Sequence, residues 1–394
     1  MKRPVESKIV NRRLNLLAWS ILASVFLGMS VYLLLNPTRT GVVPNYRMAS
    51  TNWWAGLPIY VGGTHGFLYF PQFIVAFTPF NNLRPEILGE IVWRAFGFGL
   101  FTLALRLLSV SSLQFGASLP ASRLPPFAFL SLVLLAVPAS LASLNNGQTN
   151  LPLSACLVLA ALALCGEKWN LAAILLSLAI VLKPIALASW LLAFAVFPSV
   201  RKPLWIGLLP LVAFGFAHPD FHYAWERWGK CLEKIVGSYT PENLRVSDLF
   251  GAMGKFGAYT PPMLEKGVRA GACLAALAYV WICHRRQGVP AGSWALWVAS
   301  ALVFTIFNPR AETNSYVLIS PLLAYTAVSY WREVEGGKWK GVVLGIACIA
   351  LMCDGMGLLI YKATDVWFKP LIVLLVSPLL FRVPEGWKEK SERR

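Results

Sequence analysis

The chain has 394 residues, 57% of them hydrophobic and 13% charged, with a mean hydropathy of +0.60. Soluble domains carry about 25% charge, so a water-soluble globule is excluded for want of polar surface. The formal net charge of +17 does not point to nucleic acid, because no basic run is interleaved with aromatics as single-strand binders require. Lys and Arg gathered in cytoplasmic loops account for it.

A spanning helix needs about 20 apolar residues. In chain order, apolar runs predict helices near 14–35, 87–109, 125–143, 149–165, 169–183, 184–199, 203–217, 266–284, 291–307, 315–331, 340–361 and 367–381. The first is too long for a signal-peptide core and lacks an A-x-A-like site, so a retained anchor is expected. Helices 169–183 and 184–199 are divided at Lys183-Pro184, because a residue before proline is biased away from the helix. With the N-terminus inside, twelve crossings return the C-terminus inside. Arg123, Lys168, Arg201, Arg285, Arg286, Arg332 and the tail cations then fall in the cytoplasm, as positive-inside topology demands. Fusing the two helices at Lys183 would export Arg201, Arg285, Arg286, Arg332 and the tail. The expectation is one all-α, polytopic integral membrane domain over residues 1–394. It has about 12 transmembrane helices and lies in the cytoplasmic membrane with both termini cytoplasmic.

Two long outer segments remain. Segment 37–86 holds the apolar stretch 67–80, short for a span and suited to an interfacial or re-entrant helix. Segment 218–265 is polar and aromatic, and its stretch 221–235 suits a helix lying on the membrane surface.

With this topology the unusual polar clusters share the outer face: 45–52, 145–150, Lys183, 218–265 and 308–314. Polar residues at membrane depth are costly unless they face a cavity or a ligand. Each cluster alone also reads as a solvated loop with amides capping helix ends, but their convergence argues for an outward-facing polar cavity. Lys183, at a helix break, can meet a phosphate as a point charge or snorkel to headgroups. Arg310 can hold an anionic ligand while Glu312 acts as a base, or the two can form a structural pair. The four His and seven Cys show no metal-ligand spacing. No metal site or cofactor is predicted, and a divalent ion is left open. Neither nucleotide-phosphate loops nor a G-x-S-x-G elbow occur.

Tyr46-x-x-Ala49, Gly56-Leu57-Pro58-Ile59-Tyr60 and Phe67-Leu68-Tyr69-Phe70-Pro71 resemble the first outer loop of bacterial polyprenyl-phosphate-sugar-dependent glycosyltransferases. These are the GT-C type enzymes of glycosyltransferase family 87, which include phosphatidylinositol-mannoside mannosyltransferases and arabinofuranosyltransferases. Asn146-Gly147-Gln148-x-Asn150, Lys183-Pro184, Glu242-Asn243-Leu244-x-x-Ser247 and Asn308-Pro309 through Tyr316 and Pro321 follow in the family's order. The resemblance implies a GT-C-like fold and transfer of a hexose, mannose first, from a polyprenyl-phosphate sugar to a lipid or glycan acceptor among membrane lipids. It implies Lys183, Arg310, Gln148 and Asn150 at the donor phosphate. Tyr60, Tyr69, Trp53 and Asn314 would contact sugars.

The family's base is an Asp in the first outer loop, yet no acidic residue lies between Glu6 and Glu86. Asn45 stands near that position, and an amide cannot take a proton from a hydroxyl. Glu312 is the candidate replacement, followed by Asp220 and Glu226. A transporter or flippase for a lipid-linked or small solute stays open, with Glu90 and Arg94 as its charged hint inside a helix. So does a non-catalytic relative of the transferases.

Overall fold

The computed structural model describes residues 4–36, 41–61, 66–111, 127–237, 246–331, 337–384 and 387. Glu242–Leu244 and several expected loop cations, among them Arg123, Arg332 and Lys388, lie outside the described residues. Every regular element among the described residues is helical. The chain is an all-α bundle whose long helices expose Leu27, Ile206, Leu274, Ile346 and Leu375. Outward leucine and isoleucine along helices that already bury another face suits lipid as the surrounding solvent.

Helix Asn150–Cys165 is the axis. It is apolar all round, and fourteen of its sixteen residues are buried, which is the signature of a helix enclosed by others. Helices Glu86–Ser111, Trp169–Leu182 and Pro262–Ile306 pack against it. The N-terminal helix Pro4–Leu35 sits at the edge, with only 17% of its apolar window buried.

Among the described residues, four helices are long and apolar enough to cross a bilayer: Asn11–Leu35, Glu86–Val110, Ala128–Asn146 and Pro262–Ile306. Two bent pairs raise the number to six if each is one span. The expected twelve are not reached by this measure, for a physical reason. At 1.5 Å per residue, helices such as Asn150–Cys165 and Trp169–Leu182 fall short of a hydrocarbon layer of about 30 Å. Proline and glycine divide the others. Pro184–Val196 and Pro198–Phe214 meet at 118°. The expected span 340–361 is broken as well. Its helix, Lys338–Ala350, gives way at Asp354, Gly355 and Gly357 (φ 110°) to Leu358–Thr364, bent by 114°. The expected division between 266–284 and 291–307 is present: Gly288, at φ 81° and ψ −174°, separates two helices within Pro262–Ile306.

The division at Lys183-Pro184 is present: Lys183 is extended (φ −162°, ψ 127°) between Trp169–Leu182 and the turn Pro184–Ala186. Segment 37–86 forms two short helices, Val43–Trp54 and Pro71–Asn81. Segment 218–265 supplies the amphipathic helix Phe221–Gly237.

Candidate active site

Two turns and one helix break build the site. The first turn follows Leu141–Asn146. Gly147 caps that helix in the left-handed region (φ 65°), which lets the chain reverse into Asn150–Cys165. A Cβ there would lie 2.5 Å from Val43 and 3.0 Å from Arg94, so glycine is required by space and by backbone. Arg94 clamps the turn. Its Nε donates to the Leu144 carbonyl at 3.1 Å, and its Nη2 donates to that of Asn145 at 3.0 Å. Glu90 pairs with it at 3.0 Å, and the Trp93 indole donates to the Gly147 carbonyl at 2.7 Å. The Glu90–Arg94 pair, the hint for a transport pathway, therefore holds the backbone that presents Gln148 and Asn150.

The second turn is 308–314. The Asn308 side chain accepts from the Arg310 backbone N–H at 3.1 Å. Glu312 begins the short helix Thr313–Leu318 with a reciprocal cap: its side chain accepts from the Ser315 backbone, and its own N–H donates to the Ser315 hydroxyl at 3.2 Å. Neighbours pin this turn from outside. The Ser247 N–H donates to the Ala311 carbonyl at 2.6 Å. The Lys369 ammonium, almost fully buried, donates to the Thr313 carbonyl at 2.9 Å and pairs with Asp354 at 2.8 Å.

These pieces meet in one hydrogen-bonded run. Glu312 Oε2 accepts from Gln148 Nε2 at 2.9 Å and from Asn314 Nδ2 at 3.0 Å. Gln148 Oε1 accepts from Asn150 Nδ2 at 2.6 Å, and the same amide reaches Asn314 Oδ1 at 3.2 Å. Asn150 Oδ1 accepts from the Lys183 ammonium at 2.9 Å. A carboxylate and a cation that are 129 residues apart in sequence, 312 less 183, are thus joined through two amides. Tyr69 borders the run, its hydroxyl 2.7 Å from that of Tyr46 and 3.4 Å from Thr149 Oγ1. Burial raises the Tyr69 pKa, the Thr149 and Tyr46 hydrogen bonds lower it, Glu312 raises it and Arg310 lowers it. Burial lowers the Arg310 pKa and Glu312 raises it. Arg310, Glu312 and Tyr69 therefore share one electrostatic neighbourhood.

Seven residues chosen from sequence come together here: Glu312, Lys183, Arg310, Gln148, Asn150, Asn314 and Tyr69. Four do not. Asn45 is exposed on Val43–Trp54, and no hydrogen bond among the described residues ties it to the run. Asp220 is exposed and caps the surface helix, accepting from the Tyr223 N–H at 3.1 Å. Trp53 is fully buried against His218 and Tyr223, so its ring offers no face to a sugar. Tyr60 donates its hydroxyl to the Tyr69 carbonyl at 2.9 Å and supports that loop from behind. Sequence reasoning missed the Lys369 clamp and the carboxyls of Asp354 and Asp365. With Glu312 and Asn314, those carboxyls line a cavity of about 750 Å³. The legible signal was Asp354-Gly355-x-Gly357 inside an apolar run.

The model of glycosyltransferase family 87 matches residues 67–321, about two thirds of the chain. This chain belongs to glycosyltransferase family 87. None of the curated proteins compared matches it. The match spans every member of the hydrogen-bonded run and Arg310. Asn45, Trp53, Tyr60, Asp354, Asp365 and Lys369 lie outside the matched residues of this GT-C-type glycosyltransferase.

Proposed function

We propose that this family 87 glycosyltransferase moves a hexose, mannose in the simplest case, from a polyprenyl-phosphate sugar to a hydroxyl of a lipid or glycan acceptor. The reaction takes place on the outer face of the cytoplasmic membrane, with both termini cytoplasmic. The observation that carries this reading is the run from the Glu312 carboxylate through Gln148 and Asn150 to the Lys183 ammonium, with Arg310 in the same field. One cluster then offers a proton acceptor and cations for a departing phosphate.

The acceptor O–H gives its proton to Glu312, and its oxygen forms a bond to the anomeric carbon. The bond from that carbon to the phosphate oxygen breaks, and its electron pair leaves with the polyprenyl phosphate. Lys183 and Arg310 offset the charge that gathers on that oxygen. The amides on Oε2 and the Ser315 backbone hold the carboxylate in one orientation, which is the condition for general-base action.

The test is purified protein in detergent with radiolabelled polyprenyl-phosphate mannose and a membrane lipid extract, wild type beside Glu312→Gln. Label moving to a new lipid or glycan, and falling by about 10²–10⁴-fold in the variant, is the expected result. Equal transfer by both proteins would remove Glu312 as base. A wild type that consumes no polyprenyl-phosphate hexose would sink the donor assignment.

A further inference from the structure

Helix Phe221–Gly237 divides its side chains among three faces. The inward face holds Tyr223, Ala224 and Cys231, all buried. The face that carries His222, Glu226, Lys230 and Glu233 is exposed and polar. Between the two runs a stripe of Phe221, Trp225, Leu232 and Val236, at spacings of four, seven and four, which sets all four on one side of a helix. They are 63%, 64%, 56% and 76% exposed, and large apolar side chains are costly to leave in water. The stripe does not end at the helix. Phe216 stacks on Phe221 at 5.4 Å and on Trp225 at 6.2 Å. The preceding helix, Arg201–Phe214, exposes Ile206, Leu209 and Phe214. The stripe thus continues a surface already suited to lipid. Charges along the polar face cancel in pairs, Glu226 with Arg227 and Lys230 with Glu233 at 2.9 Å. A helix drawn to anionic headgroups is rich in Lys and Arg on its polar face, whereas this face carries Lys230 already paired.

We propose that this helix lies in an interfacial layer of the bilayer, its stripe sunk among acyl chains whatever the headgroup charge, and that this seating steadies the segment carrying Tyr69. The inward face holds that segment by its backbone. The Tyr223 hydroxyl donates to the Leu57 carbonyl at 2.6 Å, and the Cys231 thiol donates to that of Tyr69 at 3.6 Å. The Lys234 ammonium donates to the Val61 carbonyl at 3.0 Å, and Trp228 packs on Phe70 at 5.7 Å. Tyr69 in turn borders the hydrogen-bonded run through Thr149. One helix therefore joins lipid on its stripe to the Tyr69 segment on its inward face. The seating requires no assumption about the reaction.

The test places the full chain in nanodiscs, with a spin label on one introduced cysteine at a time. The background changes Cys165 and Cys273 to Ser, since the other five cysteines are buried. Oxygen, which gathers among acyl chains, and a nickel chelate, which stays in water, serve as relaxing agents. Labels on Trp225→Cys, Leu232→Cys and Val236→Cys should respond to oxygen and sit about 5–10 Å into the headgroup–acyl boundary. Labels on His222→Cys, Glu226→Cys and Lys230→Cys should respond to the chelate. Depths should match between phosphatidylcholine discs and discs with phosphatidylglycerol added. Six labels that all respond to the chelate would overturn the seating. Shielding of the stripe from both agents would overturn it too, by putting a protein surface there. Depth gained only with phosphatidylglycerol would replace apolar seating with charge attraction. Trp225→Glu with Leu232→Glu should bring the label at position 236 into water. It should also speed amide exchange at 57–61 and 66–70 by roughly tenfold or more, with exchange in Asn150–Cys165 unchanged. Trp225→Phe with Leu232→Met should keep both depth and exchange at wild-type values. Faster exchange confined to the helix itself would overturn its hold on the Tyr69 segment.

Discussion

In the proposed reaction, Glu312 and Lys183 do opposite work at the ends of one short chain of amides. Because Asn150 Oδ1 takes the Lys183 ammonium while its Nδ2 serves Gln148 and Asn314, the cation is aimed as well as present. Lys183→Ala should therefore lower kcat by about 10²–10³-fold, the loss typical when one charge stabiliser is removed from a reacting centre. Donor KM should change less. Single-turnover transfer with saturating donor checks this, and a kcat within twofold of wild type would take Lys183 off the leaving phosphate. Polar residues were legible in the sequence wherever they interrupt apolar runs, because membrane depth makes such residues costly. That is how Gln148, Asn150, Lys183, Arg310 and Glu312 stood out. Trp53 and Tyr60 were read as sugar contacts because an aromatic at a membrane interface and one in a buried cluster look alike in sequence. Only the fold reveals that Trp53 lies beneath His218 and Tyr223.

At the scale of elements, one turn and one cap make opposite predictions. Gly147 holds a left-handed backbone and has Val43 and Arg94 within 3.0 Å of where a Cβ would be. Gly147→Ala should cost about 1–2 kcal/mol from the backbone alone, with the clash added. It should also reduce transfer, because the turn presents Gln148 and Asn150. Thermal unfolding in detergent beside the transfer assay checks both, and a variant with wild-type stability and rate would dissociate the turn from the site. Asp220 caps the surface helix Phe221–Gly237 and sits apart from the run. Asp220→Ala should lose about 1 kcal/mol of helix stability and keep its transfer rate. A hundredfold loss of rate would restore Asp220 as a candidate base. The sequence revealed this helix through its amphipathic pattern, and the structure bears out its position and length. Apolar length alone was less informative about where helices bend: Pro198 follows Pro184–Val196 at a 118° bend, and Gly355 and Gly357 break the single run 340–361.

Across the whole molecule, the loop that carries Glu312 is fastened from the far end of the chain. Lys369 donates to the Thr313 carbonyl and pairs with Asp354, with both side chains buried. Removing one partner of a buried pair leaves an uncompensated charge and costs about 3–5 kcal/mol. Lys369→Met should lower the unfolding temperature by several degrees. Lys369→Met with Asp354→Leu should recover much of the loss, since apolar replacement of both partners is often near neutral. A double variant no better than the single would place the role of Lys369 in the Thr313 hydrogen bond instead.

The clamp has a consequence for anyone exchanging parts between relatives. The family model matches up to residue 321, whereas the fastening of Thr313 comes from Lys369. A transplant of residues 67–321 into another frame would carry the whole hydrogen-bonded run and arrive without its anchor, leaving the loop of Glu312 tethered by Ser247 alone among the two fastenings at 311 and 313. The smallest unit that can be moved with its carboxylate held in place extends through helix Phe368–Val376, so chimeras should be cut beyond that helix.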